Sequence, residues 1–307
     1  MAKRVAVIGA GIIGASWAAY FLGRGFEVGA YDPAPEGEAF ARRFIDNAWP
    51  TLEKLKAVLP GADRKRFEFF KEPAAAADGA EFVQESGPER EDLKIELFAT
   101  LDAVLPPTTA IATSSSGLLI SRVSAKCKHP QRCVIGHPFN PPHLIPLVEV
   151  VGGARTSPEV ISTAMNFYRE IGKRPIHIKK EVRGHVANRL QAALWREAVH
   201  LVNEDVVSVA DADAAIAYGP GLRWALMGPN LTFHMAGGQG GMRHFLDHIG
   251  PAIQGWMDDL GAPRLTATTQ QKLIDGVAEE AAGRSMDDLQ RWRDRKLIEI
   301  LKVSGEQ

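Results

Sequence analysis

His137 and Glu149 are the residues of this 307-residue chain whose types and positions favour acid–base chemistry. His137 follows a predicted strand, 133–136, within the segment GHPFNPP, and Glu149 interrupts the apolar segment IPLVEVV. A buried carboxylate is costly unless another group pairs with it, and His137 is the candidate partner. Such a pair would fix the imidazole tautomer and let His137 act as a general base toward a hydroxyl group.

The same residues also have ordinary structural interpretations, which the pattern leaves open. A histidine beside prolines is often a loop residue, and Glu149 could face water on an edge strand. Ser116, in the turn TSSSG after a predicted strand at 110–113, and Asn188, near the start of a predicted helix, could bind a substrate oxygen. Serine and asparagine at such places also serve simply as turn or cap residues.

Residues 5–32 predict a dinucleotide site, which the oxidation of an alcohol would require. An apolar run leads into Gly9-x-Gly11-x-x-Gly14, and a second strand-like run ends on Asp32. Gly9 permits a tight turn, Gly11 lets backbone amides approach a pyrophosphate, and Gly14 lets a helix pack on the sheet. A carboxylate at Asp32 would bind the adenine ribose and repel a 2′-phosphate, which favours NAD over NADP. We therefore assign to the cofactor site Gly9, Gly11, Ile12, Ile13, Gly14 and Asp32.

The alternative for the same stretch is a signal peptide or a membrane anchor. Residues 5–23 carry no charge, and Lys3 and Arg4 precede them. The glycines, however, suit a turn better than a membrane helix, and a strand ending in an acid follows in place of a cleavage site. We therefore expect a protein that does not associate with membranes.

Composition indicates an ordinary enzyme with a small-molecule substrate. The chain has 36 Lys and Arg against 37 Asp and Glu, so no basic excess favours nucleic acid or anionic lipid. Its two cysteines, Cys127 and Cys133, are expected to be reduced thiols in a cytoplasmic protein. His244 and His248 lie one helical turn apart, but no third ligand of suitable spacing is evident, and we expect no metal.

The order of elements predicts an α/β fold in two domains. Strands alternate with helices up to about residue 183, which is typical of a doubly wound, Rossmann-type sheet. From residue 186 onward the pattern is helical, including long stretches at 231–248 and 268–301. We therefore predict an NAD-binding domain at 1–183 and an all-α domain for substrate binding and dimerisation at 184–307. Ligands of such a sheet bind outside the carboxyl ends of its strands.

Over nearly its full length the chain resembles the 3-hydroxyacyl-CoA dehydrogenase family. The resemblance implies that His137 and Glu149 form the catalytic pair and that Ser116 and Asn188 contact the substrate oxygen. It also implies a homodimer formed through the helical domain. Around the nicotinamide and its ribose it implies Glu89, Lys94, Ser116 and Asn140. The segments that carry the resemblance are VIGAGIIGASWA, ESGPEREDLKIELF, SSSGLLISRV, GHPFNPPHLIPLVEVV, GHVANRLQAALWREAVHLV and GLRWALMGP.

Two departures from the acyl-CoA members point to a small free acid as substrate. The chain lacks their Gly-rich segment closing on GFY, and its segment 291–297 resembles the subgroup that includes L-carnitine and L-gulonate 3-dehydrogenases. Arg223 could form a bidentate pair with a substrate carboxylate. It could equally pair with Asp211 or Asp213.

We expect NAD-dependent oxidation of the 3-hydroxyl of a small L-3-hydroxy acid, of the carnitine or gulonate type, to the 3-keto acid. A short-chain acyl-CoA thioester is the alternative substrate. A different class, a binding or structural protein that keeps the cofactor site without turnover, needs none of Ser116, His137, Glu149 and Asn188, and their joint presence argues against it.

Overall fold

The computed structural model describes residues 3–304, which form two compact units, one ending at Asn188 and the other beginning at Arg189. The first unit is an eight-stranded sheet with helices on both faces, and the second is helical. The predicted fold, a Rossmann-type α/β domain followed by an all-α domain, is confirmed.

The sheet runs in the order β3-β2-β1-β4-β5-β6-β7-β8. Strands β1 to β6 are parallel, β7 is antiparallel to β6, and β8 is parallel to β7. Sequence analysis missed β8, whose sequence RPIHI is short and contains a proline, a residue typical of edge strands. Only Ile178 of the strand is buried. The strands are β1 (Arg4–Ile8), β2 (Glu27–Tyr31), β3 (Phe67–Phe70), β4 (Phe82–Glu85), β5 (Ala110–Thr113), β6 (Cys133–Pro138), β7 (Leu147–Val151) and β8 (Arg174–Ile178).

Helices cover both faces of this sheet because side chains of a buried strand alternate between the faces. On β1, Val7 belongs to the cluster that includes Trp17, whereas Ile8 belongs to the opposite cluster with Phe98. The helices of the first unit are α1 (Ile12–Gly23), α2 (Gly37–Lys54), α3 (Pro73–Ala77), α4 (Glu91–Val104), α5 (Ile120–Val123) and α6 (Pro158–Glu170).

The second unit differs from the sequence prediction in how its helices are divided. The stretch predicted at 231–248 is two helices, because Gly238 and Gly241 both have φ of +57°. The stretch at 268–301 also divides, at Ala282 and Gly283, where φ is positive again. The helices are α7 (Ala187–Asn203), which begins in the first unit, α8 (Val209–Tyr218), α9 (Pro220–Trp224), α10 (Pro229–Ala236), α11 (Gly241–His248), α12 (Gly250–Asp259), α13 (Ala267–Ala281) and α14 (Met286–Ser304).

Residues 5–23, for which a membrane anchor was the alternative, form most of β1, the glycine turn and α1. Between residues 3 and 304 no helix is long and apolar enough to cross a membrane. The two cysteines are free and buried, with their sulfur atoms 3.9 Å apart. His244 and His248 stack on each other on α11, and within the described chain no three His, Cys, Asp or Glu side chains group as metal ligands.

Candidate active site

His137 and Glu149 lie directly opposite each other in the antiparallel pair formed by β6 and β7. The Nδ1 atom of His137 is 2.8 Å from Oε2 of Glu149. Glu149 is fully buried and His137 is nearly so. The two side chains that the sequence suggested as partners are therefore in contact.

The second carboxylate oxygen of Glu149 holds the backbone at the start of α7. It accepts hydrogen bonds of 2.9 Å from the amides of Val186 and Ala187. Burial disfavours the charged carboxylate, but the hydrogen bonds from His137 and the two amides outweigh it, so the pKa of Glu149 lies below its ordinary value. A charged Glu149 can only accept, so Nδ1 of His137 donates to it, and in the neutral imidazole the free lone pair is on Nε2. Asn188, half-buried, is the next residue of α7.

Glu89 organises the serine turn, residues 114–117, at the carboxyl end of β5. Its Oε1 accepts the hydroxyl of Ser115 at 2.7 Å and the amides of Ser116 and Gly117 at 3.0 and 2.9 Å. The hydroxyl of Ser116 is exposed and 3.4 Å from the same oxygen. The structure thus brings Glu89 and Ser116 together and leaves the Ser116 hydroxyl open to a ligand.

The glycine turn after β1 has the geometry that a dinucleotide requires. Gly9 has a φ of +94°, and its amide donates to the carbonyl of Tyr31. One carboxylate oxygen of Asp32 accepts the amide of Ala10 at 2.7 Å, and the other accepts that of Ala34 at 2.8 Å. Asp32 therefore stands at the turn, at the carboxyl end of β2.

Gly11 marks the open side of this turn. It is the N-cap of α1, no side chain caps the helix there, and a Cβ built on Gly11 would meet nothing within 4 Å. Ile12 and Ile13 begin the helix, so uncapped amides and the positive end of the helix dipole face open space. This arrangement fits a pyrophosphate.

Lys94 is buried near the glycine turn. It forms an ion pair that sequence analysis missed. Its ammonium group is 2.7 and 2.8 Å from the two carboxylate oxygens of Glu85 and donates to the carbonyl of Gly87. Gly87 abuts Gly9, because a Cβ on Gly9 would stand 2.6 Å from its amide nitrogen. An acid ending the buried strand β4 was the signal that could have identified this pair.

His185 is a second histidine at this site that sequence analysis did not single out. Its Nε2 is 2.9 Å from the carbonyl of Ser115, and its ring lies 5.2 Å from that of His137. The isolated His185 carries no spacing signal, so only the tertiary structure reveals it.

The remaining predicted residues lie on exposed segments. Asn140 is exposed in the loop after β6. Arg223 is exposed on α9 in the second unit, and among the described residues no ion pair joins it to either aspartate that the sequence offered; Asp211 instead accepts the Ser208 hydroxyl.

A cavity of about 560 Å³ opens beside the serine turn. Its lining includes Glu89 and Gly117 from the candidate site, together with Arg122 and Arg183. Arg122 is paired with Glu91 at 2.7 Å. Arg183 therefore offers a second candidate cation for an anionic substrate group.

Comparison with known proteins gives matches to both parts of the chain. Residues 4–182 match the NAD-binding domain of 3-hydroxyacyl-CoA dehydrogenase, and residues 184–285 match its C-terminal domain. The L-carnitine dehydrogenase of Streptomyces coelicolor is 49% identical over 99% of this chain and 95% of its own length. That of Pseudomonas aeruginosa is 47% identical over 97% of this chain and 93% of its own.

Solved structures extend the comparison. A 5-formyl-3-hydroxy-2-methylpyridine 4-carboxylic acid 5-dehydrogenase, described as an NAD⁺-dependent dismutase, superposes with a TM-score of 0.86 at 31% identity, covering 99% of both chains. The 3-hydroxybutyryl-CoA dehydrogenase of Escherichia coli gives a TM-score of 0.63 at 31% identity over 77% of this chain and 50% of its own. The chain belongs to the 3-hydroxyacyl-CoA dehydrogenase family and is an NAD-dependent dehydrogenase.

Proposed function

We propose that the enzyme oxidises the 3-hydroxyl of a small L-3-hydroxy acid with a free carboxylate, and that L-carnitine is the first substrate to test. The observation that carries the chemistry is the buried His137–Glu149 pair, which leaves one imidazole nitrogen free to take a proton. The two relatives described above are L-carnitine dehydrogenases and align with the chain almost from end to end, which supports the choice of substrate.

His137 is the general base of the proposed reaction. As the C3–H bond breaks, the hydroxyl proton passes to Nε2 of His137, and the C3–O bond becomes a carbonyl. Bound NAD would supply the acceptor for the hydride that leaves C3. Glu149 stabilises the resulting imidazolium, while Ser116 and Asn188 orient the substrate oxygen.

The cofactor would be held by both the glycine turn and the serine turn. Gly9, Gly11 and Gly14 shape the turn, the amides at Ile12 and Ile13 bind the pyrophosphate, and Asp32 binds the adenine ribose. Glu89, Ser116 and Asn140 would lie near the nicotinamide and its ribose. Lys94, in its buried ion pair with Glu85, would hold the segment at Gly87 that abuts Gly9.

We further propose that residues 1–183 bind the cofactor and that the helical part, 184–307, binds substrate and forms a homodimer. The second unit exposes large aromatic side chains, among them Tyr218 at 81% and Trp256 at 65% exposure, which a partner copy would cover. Light scattering coupled to gel filtration should give twice the chain mass of 33.4 kDa.

A short-chain 3-hydroxyacyl-CoA is the second candidate substrate, favoured by the structural similarity to the E. coli 3-hydroxybutyryl-CoA dehydrogenase. The free-acid and CoA candidates share the His137 chemistry and differ in what binds the far end of the substrate.

The deciding experiment is NADH formation with L-carnitine, L-gulonate, short L-3-hydroxy acids and 3-hydroxybutyryl-CoA, for the wild type and for His137→Ala. We expect turnover of a free acid that falls by about 10²–10⁴-fold in the variant. Turnover of the CoA ester alone would contradict the free-acid proposal and favour the second candidate substrate, a short-chain 3-hydroxyacyl-CoA. NAD binding without turnover of any substrate would contradict both.

A further inference from the structure

His185 connects the two parts of the candidate site. It is 1% exposed, and its Nε2 approaches the carbonyl of Ser115 at 2.9 Å. Its ring lies 5.2 Å from the ring of His137, inclined at 52°. The next two amides along the chain donate to Glu149. One residue thus contacts the serine turn and His137 and adjoins the segment that binds Glu149.

The hydrogen bonds define the tautomer of this imidazole. A carbonyl oxygen can only accept, so Nε2 of His185 carries the proton and Nδ1 does not. Burial lowers the pKa of His185. The ionisable groups that face it are His137 on β6, Glu149 on β7 and Glu89 before α4. The ring is therefore neutral at neutral pH, and a charge on His137 disfavours a second charge beside it.

Two features of His185 are energetically unfavourable. Within the described chain, Nδ1 of His185 is buried without a hydrogen-bond partner, and the backbone has a φ of +51°, which is uncommon for a residue other than glycine. Unpaired buried polar groups and strained dihedrals persist where the surrounding structure enforces them, and they concentrate at functional sites. Apolar packing alone would not require a histidine here.

We propose that His185 is a positioning residue that fixes Ser116 relative to His137 and stays neutral during the reaction, so that His137 alone takes up the substrate proton. This inference rests on the proposed function for its kinetic consequence. Its structural part, a neutral Nε2-protonated imidazole bound to Ser115, does not depend on which substrate is used.

Three substitutions separate the hydrogen bond from the ring and from the backbone. The amide nitrogen of Gln in His185→Gln reaches the position of Nε2 and can donate to Ser115. In His185→Asn the amide falls near Nδ1 and cannot, although asparagine tolerates positive φ better. His185→Phe keeps the ring packing without any donor.

We expect His185→Asn and His185→Phe to lower kcat by about tenfold or more, because the turn that carries Ser116 loses the hydrogen bond at the Ser115 carbonyl and is positioned less precisely. His185→Gln should retain most of kcat and keep the Kd for NAD within about twofold of the wild type. Equal activity in all three, or a higher kcat for Asn than for Gln, would show that the bond to Ser115 does not matter.

Nuclear magnetic resonance with ¹⁵N-labelled histidine tests the neutral state without turnover. The ring signals of His185, assigned by their absence in His185→Asn, should report the Nε2-protonated tautomer in the range at and above pH 6.5, the ordinary pKa of histidine. An imidazolium signal from His185 in that range would overturn the proposal, even if the enzyme oxidises L-carnitine. Absence of turnover with a neutral His185 would instead contradict the proposed function.

Discussion

Gly14 on α1 lies against the carbonyl oxygen of Gly9 in the preceding turn. A methyl group built on Gly14 would stand 1.7 Å from that oxygen, whereas one built on Gly11 would meet nothing within 4 Å. Glycine is therefore needed at the two positions of this motif for different physical reasons. Gly14 is required for the helix to pack, and Gly11 leaves room for a ligand.

Gly14→Ala and Gly11→Ala should consequently fail in different ways. We expect Gly14→Ala to lower the free energy of unfolding by roughly 2–4 kcal/mol, because either the turn or the helix must shift. Gly11→Ala should keep nearly the wild-type stability and lose affinity for NAD by more than about tenfold, because the methyl group occupies the pyrophosphate space. Urea denaturation and NAD titration by fluorescence measure the two effects. Similar stability losses in both variants would refute the distinction.

Glu149→Gln should reverse the tautomer of His137. Val186 and Ala187 donate to one side-chain oxygen, so the amide nitrogen of Gln would face Nδ1 of His137 and make it an acceptor. The proton then moves to Nε2, and the base is lost. We expect kcat to fall by about 10²–10⁴-fold at an unchanged Kd for NAD. Glu159→Gln, an exposed acid on α6, is the control.

The same carboxylate should contribute to acid stability. The pKa of Glu149 in the folded protein lies below its ordinary value of 4.5, so its contribution is complete above that pH and is lost as the pH falls through the folded value. The unfolding free energy of the wild type should therefore fall more steeply below about pH 4.5 than that of Glu149→Gln. Parallel curves for the two proteins in acid would contradict this account.

Lys173 should make stability rise with pH. Its side-chain nitrogen is buried, donates to the carbonyls of Pro142 and Ile145, and lies 3.7 Å from the ring centre of Tyr20. Burial, with a smaller effect of Arg24, lowers the pKa of Lys173 from 10.5 to about 7. Between these values the unfolded chain binds the proton and the folded chain does not, so the free energy of unfolding increases with pH.

Replacing the amine with Lys173→Met should remove this dependence. The stability difference between wild type and variant, measured in urea at about pH 6.5 and about pH 9.5, should move in favour of the wild type at the higher pH. Lys180→Met, at an exposed lysine of the same unit, should show no such trend. A constant difference for Lys173→Met would mean that the amine keeps its proton in the folded protein.

Arg223 and Arg183 compete for the role of carboxylate ligand. We expect Arg223→Leu to raise the KM for a free hydroxy acid by more than about tenfold and to leave the KM for NAD unchanged, because a bidentate charged contact is lost. Arg183→Leu, in the cavity beside Glu89, is the matched comparison. An increase in KM confined to Arg183→Leu would indicate that the substrate carboxylate binds in that cavity and not at Arg223.

Local sequence determined the parts of this protein that depend on neighbouring residues. The strand–glycine–helix pattern at 5–23 and the acid at Asp32 specify a dinucleotide turn, because each step is a backbone requirement of a few consecutive residues. His137 and Glu149 could be paired from sequence because an ionisable group in an apolar strand needs a partner. The division of 231–248 was missed, since glycine conformation outweighs apolar periodicity there.

Only the tertiary structure decided which distant segments meet. The order of the strands brings His185 to Ser115 across 70 positions. For His137 and Glu149, whose pairing the sequence predicted, the return of β7 beside β6 supplies the register that sets them opposite each other. The pairing of Lys94 with Glu85 depends on how α4 packs on β4. These contacts arise from the order of the strands and the packing of helices over the whole sheet. Neither can be predicted from the spacing of residues along the chain.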